Sequence, residues 1–225
     1  MKPASIRFNV WKILTIIAVL AATAAAPGQP ADSTVPIKFE NVPITTAINT
    51  LARLCGLNYI LDSKLSGSFL DADGKPVPEP MVSISSTDLT AKEALTKLLK
   101  EHGLRLIDNP DTSITVIGYP NRIVNPVDAS LLGGDTNQLG RIVFHDVPLD
   151  EALKNLVQKA HINATLDSTL PSHSDPAGKF HPAPSVSVHW ENVTARQAII
   201  ALCENYHLAI VKDSTTGTIC IKPRD

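Results

Sequence analysis

The chain has 225 residues, with 20 Lys plus Arg against 22 Asp plus Glu, 4% aromatic residues and three cysteines. A slightly acidic balance with few aromatics excludes the basic surface and the stacking platform that nucleic-acid binding uses. Three cysteines with no CxxC spacing allow at most one internal disulfide and leave one thiol over.

Residues 1–26 read as a secretory signal: Lys2, Arg7 and Lys12 precede the apolar run Ile13 to Ala22, and Ala22-Thr23-Ala24 has the small-x-small form of a cleavage site. The apolar run is shorter than the roughly 20 residues of a spanning helix. Cleavage near Ala25 leaves 17 basic against 22 acidic residues, a formal net charge of −5. No Cys follows the run, which argues against a lipid anchor, and no later stretch could cross a membrane as a helix. The expected location is the periplasm.

Ile37-Lys38-Phe39 alternates like a strand, and Val42-Pro43 introduces a run with apolar residues at Ile44, Ala47, Ile48, Leu51 and Cys55, one face of a helix. Pro43 suits the first turn, where a missing N–H costs nothing. Leu57 to Leu61 reads as a short strand, and Val82-Ser83-Ile84 as a half-buried one. Thr90-Ala-Lys-Glu93 is a capping box, and the helix it starts carries Ala94, Leu95, Leu98 and Leu99 on one face. Leu104 to Ile107 and Ile114 to Ile117 follow as two strands.

The same order then recurs. Aligning 39–65 with 144–170 and 71–117 with 175–221 gives 24 identities in 74 positions, among them Phe39/Phe144, Pro43/Pro148, Ala47/Ala152, Leu51/Leu156, Thr90/Thr194, Ala94/Ala198 and Leu98/Leu202. The chain therefore reads as α+β, two tandem copies of a small two-helix, mixed-sheet domain in β-α-β-β-α-β-β order, spanning 35–120 and 139–225. Residues 121–138, with Asn125-Pro126 and Gly133-Gly134 and no periodicity, read as a linker that leaves the orientation of the copies variable.

Phe39-Glu-Asn-Val42-Pro43-Ile44 with Ala47 and Leu51, then Leu89-Thr90-Ala-Lys-Glu93-Ala94-Leu95 with Leu98, Leu99, Gly103 and Leu104, resembles the secretin and TonB short N-terminal domain family. The second copy repeats the pattern from Phe144 through Pro148 to Leu156, and from Val193-Thr194 to Leu208. The resemblance implies a non-catalytic periplasmic interaction module whose partner is an envelope protein, such as an outer-membrane secretin or a TonB-linked component. The expected departures from that pattern are the lack of a channel domain after the repeats, a longer connection between the second and third strands, and two copies expected as the whole product.

Candidate sites are few. The long connections agree at Asp71/Asp175, Gly74/Gly178, Lys75/Lys179 and two prolines, which suits either a fixed hairpin turn or a pair of partner contacts. His173, Asp175 and His181 are metal-ligand types without fixed spacing, and Ser172-His173-Ser174-Asp175 holds triad residue types without triad geometry. No GxSxG, phosphate-cradling loop or paired-carboxylate motif is present, so neither an enzyme nor a cofactor is expected. Asn163-Ala-Thr165 and Asn192-Val-Thr194 match the glycosylation sequon, which means little in a bacterial setting. Trp190 stands where the first copy has Ser86 and reads as added core or an exposed contact. Cys203 and Cys220 replace Leu99 and Val116 as core residues, with a bridge between them open, and Cys55 is expected buried on its helix. The alternative to a protein-contact module is a sensor for a small ligand or glycan, with its pocket between the copies.

Overall fold

The computed structural model describes residues 36–65, 69, 75, 77–109, 111–124, 126–133, 138–167, 170, 173–174, 180–181, 184–214 and 216–224, all within one compact unit. The signal segment lies outside them. In chain order they form β1 (Ile37–Pro43), α1 (Ile44–Leu54), β2 (Tyr59–Leu61), β3 (Met81–Ser86), α2 (Ala91–Glu101), β4 (Arg105–Ile107) and β5 (Thr115–Gly118). The second half gives β6 (Gln138–Pro148), α3 (Leu149–Lys159), β7 (Ala164–Leu166), β8 (His173–Ser174), β9 (Phe180–His181), β10 (Ser185–Thr194), α4 (Ala195–Asn205), β11 (Leu208–Lys212) and β12 (Ile219–Pro223). The protein is thus mixed α+β, with four α-helices among the described residues.

The helices form where the apolar spacing places them. Ile44, Ala47, Ile48 and Leu51 of α1 and Leu149, Ala152, Leu153 and Leu156 of α3 are buried at intervals of three and four residues. Both helices begin after a proline held near φ −55° and −53°. For α2 and α4 the capping boxes close: Glu93 N and Gln197 N donate to the Thr90 and Thr194 hydroxyls at 3.2 and 3.1 Å, and the Glu93 and Gln197 side chains accept from the threonine N–H groups at 2.9 Å. The two Thr90 bonds hold the Glu93 carboxyl below its usual range. Cys55, expected on the helix face, is the C-cap residue of α1 and only partly buried, because the helix stops one residue short of it.

Backbone conformation recurs even where identity does not. Eight of the ten left-handed residues among those described fall in aligned pairs, Asn41 and Asp146, Gly56 and His161, Gly103 and His207, Ser113 and Gly217, while Asn192 and Gly133 have no such counterpart. Asn41 N and Asp146 N donate to Ser83 Oγ and Ser187 Oγ at 2.9 and 3.0 Å, each at a register shift between its two strands. After α1, Gly56 N bonds Arg53 O and Leu57 N bonds Ala52 O; after α3, His161 N bonds Gln158 O and Ile162 N bonds Val157 O. Both are Schellman ends, whose C′ residue must take positive φ.

Among the described residues the strands form four sheets: β1-β3, β4-β5-β2-β10-β6, β11-β12-β7 and β8-β9. Parallel pairs β2-β5 and β7-β12 sit within otherwise antiparallel sheets. The five-stranded sheet joins the halves through β2 and β10. Successive residues of β2 face opposite ways, so Tyr59 and Leu61 enter one core with α1 and α2, while Ile60 enters the other with α3 and α4. All three are buried, which is what a central strand covered on both faces requires. Residues 121–138, read as a linker, carry packed residues of their own: a 3-10 turn at Ala129–Leu132, with Leu132 buried and Val127, Ala129 and Leu131 against the second core.

No helix among the described residues is long and apolar enough to cross a membrane.

His161 (φ 52°) and His207 (φ 55°) stand where the first half uses glycine. An L-residue in this region costs on the order of 1 kcal/mol or more. His161→Gly and His207→Gly are each expected to stabilise the protein by about 1 kcal/mol, read as a rise of about 2–4 °C in melting temperature; a fall would show that the histidine side chains contribute more than their strain removes.

Candidate functional site

The groups that converge most closely lie on the seam between β2 and β10. Only one backbone ladder pair spans it, His189 opposite Tyr59. Side chains supply the rest. The Trp190 indole Nε1 donates to Tyr59 O at 2.7 Å, and Asn205 Nδ2 donates to Leu61 O at 2.9 Å. Asn58 extends the ladder with its side-chain amide, donating to Glu191 O at 2.9 Å and accepting from Glu191 N at 2.8 Å. Trp190 is fully buried, so it is core, and its polar tip closes the strand edge that β10 does not reach.

Beside the seam sits a buried charged network. Arg122 Nε lies 3.1 Å from Asp62 Oδ2, both side chains being 6% exposed. Its Nη2 donates to Glu204 O and Asn205 Oδ1, each at 3.3 Å. Asn109 Nδ2 donates to Glu204 Oε2 at 2.6 Å. Burial lowers the Arg122 pKa, opposed by Asp62 and Glu204, and it raises that of Glu204, opposed by the Asn109 and Val127 hydrogen bonds and by Arg122. Gly118 is required here by close approach, since a Cβ on it would lie 2.8 Å from Asp62 Cβ. A cleft of about 180 Å³ opens beside this network, lined by Asn109, Asp111, Arg122, Pro126 and Glu204 among others.

A larger cavity of about 370 Å³ lies on the other side, where Thr45, Asn49, Phe69, Val77 and Glu79 of the first half face Asp146, Ser185 and Ser187 of the second. Its polar groups are engaged with one another. Glu79 Oε1 accepts from Thr45 N at 2.9 Å, capping α1 in place of the side-chain cap that Pro43 cannot offer. Asn49 Oδ1 accepts from the Tyr59 hydroxyl at 2.8 Å, and burial pushes that phenol up to about 12. Asp146 Oδ1 accepts from the Ser187 and Ser185 hydroxyls at 3.2 and 3.4 Å. A polar solute could exchange for some of these bonds.

Of the loop residues singled out in the sequence, Lys75 is exposed, while Asp71, Gly74, Asp175, Gly178, Lys179 and Ser172 lie outside the described residues. Both connections fold back on themselves at aligned positions: β8 and β9 pair His173 with His181, and Val77 N donates to Phe69 O at 3.0 Å. No group of three His, Cys, Asp or Glu among the described residues could hold a metal ion. All three cysteines are free; Cys203 is buried, which raises its thiol pKa. Sequence reading missed Asn58, Asp62, Glu79, Arg122 and Asn205, although Asn58/Asn163 and Asp62/Asp167 are identical in the two halves and carried a signal.

No protein-family model matches the chain, and no curated protein matches it.

Trp190→Phe removes the donor to the buried Tyr59 carbonyl and should cost about 1–3 kcal/mol in denaturant unfolding; a cost near zero would mean that the seam does not depend on this bond. Because Glu204 has a raised pKa when folded, the folded state holds a proton that the unfolded state has released. Its contribution is therefore present below the ordinary carboxylate pKa of 4.5 and lost as pH rises through the raised value. Glu204→Gln should gain stability relative to the parent as pH increases from 4.5 to neutrality, measured as the difference in urea midpoint; a constant difference would contradict the shift.

Proposed function

We propose that the chain is an exported, periplasmic protein of two tandem short domains of the secretin and TonB type, working without catalysis through protein contacts in an envelope assembly. The recurrence of caps, Schellman ends and left-handed residues at aligned positions supports the tandem reading. The observation that carries the function is the free edge of β6. It is an 11-residue strand that ends the five-stranded sheet and, among the described residues, pairs with β10 alone, and its Val143 is 54% exposed. An open edge accepts an extended partner strand through backbone groups and needs no special side chains. The long connections that carry Lys75 and Lys179 in the sequence would supply further contacts.

A second reading rests on the 370 Å³ cavity, whose mixture of carboxylates, hydroxyls and an amide suits a polar small ligand or glycan.

Crosslinking and affinity recovery of the mature protein from its native envelope tests both. Specific recovery of a secretin or TonB-linked component, reduced by Val143→Lys on the β6 edge or by Lys75→Ala together with Lys179→Ala, is the expected outcome. Recovery of that component unchanged by the loop substitutions would remove the loops from the contact. Recovery of no other protein, together with a ligand-induced rise in melting temperature that Asp146→Ala abolishes, would move the function to the cavity.

A further inference from the structure

We propose that the protein associates head to tail with a second copy of itself, the β3 edge of one molecule docking on the β7 edge of the next. The inference rests on the tandem-module reading above. Within one molecule, β10 of the second half docks on β2 of the first. In the alignment of the halves β3 is the counterpart of β10, and β7 is the counterpart of β2. Among the described residues β3 pairs with β1 alone and β7 with β12 alone. Each molecule therefore carries, at opposite ends of its internal joint, the two unused sides of that same joint.

The receiving edge keeps the features that make β2 a receptor. Asn163 aligns with Asn58, whose side-chain amide clamps the backbone of Glu191 in the internal seam, and Asn163 is exposed. Leu166-Asp167 repeats Leu61-Asp62. In the docked pair Ser85 would lie opposite Ala164, as His189 lies opposite Tyr59, and Asn163 would take both polar groups of the Thr87 peptide. Lys100 stands at the position of Glu204, so a positive side chain faces the Asp167 side of the contact, where the internal seam needs Arg122 to bridge Asp62 and the α4 terminus.

The arriving edge lacks one component. Ser86 occupies the place of Trp190, so no indole reaches the Ala164 carbonyl and no large apolar side chain anchors the joint. The head-to-tail contact is consequently weak and reversible, while the internal seam is permanent. Because the two surfaces differ, the contact is heterologous and can continue past a dimer.

Sedimentation velocity of the purified protein under reducing conditions, up to millimolar concentration, tests this. The protein should pass reversibly from monomer to dimer and larger species. Asn163→Ala, which removes an exposed clamp and no core, should weaken association by about tenfold. Ser86→Trp, which supplies the missing anchor, should strengthen it by about tenfold or more. Monomers at every concentration in both the parent and the Ser86→Trp variant would overturn the proposal, as would association that neither substitution changes. Monomers here alongside a specific partner recovered from the envelope would overturn the head-to-tail contact and leave the proposed function standing.

Discussion

Two backbone carbonyls, those of Tyr59 and Leu61, determine how the halves of this protein meet. They lie on the outer edge of β2, a strand buried on both faces, where an unpaired carbonyl costs about 1–3 kcal/mol. The strand that arrives, β10, satisfies the edge with one ladder pair and then diverges. The remaining need is met by the Trp190 indole and the Asn205 amide, while Asn58 reaches the other way to occupy both polar groups of Glu191. Each of these bonds crosses from one half to the other, so the two cores cannot separate without exposing all of them at once.

The charged network beside the seam follows from that closure. Once β2 is covered, Asp62 at its end is withdrawn from water, and a lone buried carboxylate would be strongly unfavourable. Arg122 supplies the counter-charge, and its remaining donors reach the carbonyl of Glu204 and the side chain of Asn205 at the end of α4. A residue of the segment between the halves thereby ties the first half's sheet to the second half's helix. Gly118 leaves the room this needs, since any Cβ there would collide with Asp62.

What is left outside the seam bears on function. The cavity of about 370 Å³ is bordered by polar groups already bonded to one another, among them the Asp146 carboxylate and the Ser185 and Ser187 hydroxyls. Among the described residues, the outer sides of β6, β3 and β7 pair with no further strand. An open sheet edge is the kind of surface that pairs with extended chain through its backbone groups.

Local structure was largely legible in the sequence because it depends on neighbours within a few residues. The capping boxes at Thr90 and Thr194, the apolar stripes of α1 and α3 and the prolines that precede them act over one or two helical turns. The repeat also carried the shape of the backbone: positive φ recurs at His161 where the first half has Gly56, and at His207 where it has Gly103, so the conformation is shared where the residue is not. The joint between the halves was not legible, since it unites Asn58 with Glu191, Tyr59 with Trp190, and Asp62 with Arg122, groups 60 to 133 positions apart. A tryptophan in place of Ser86 could be read as core or as contact. Only the folded chain decided that it is core, because only there does the buried edge of β2 come to lie against it with a carbonyl in need of a donor.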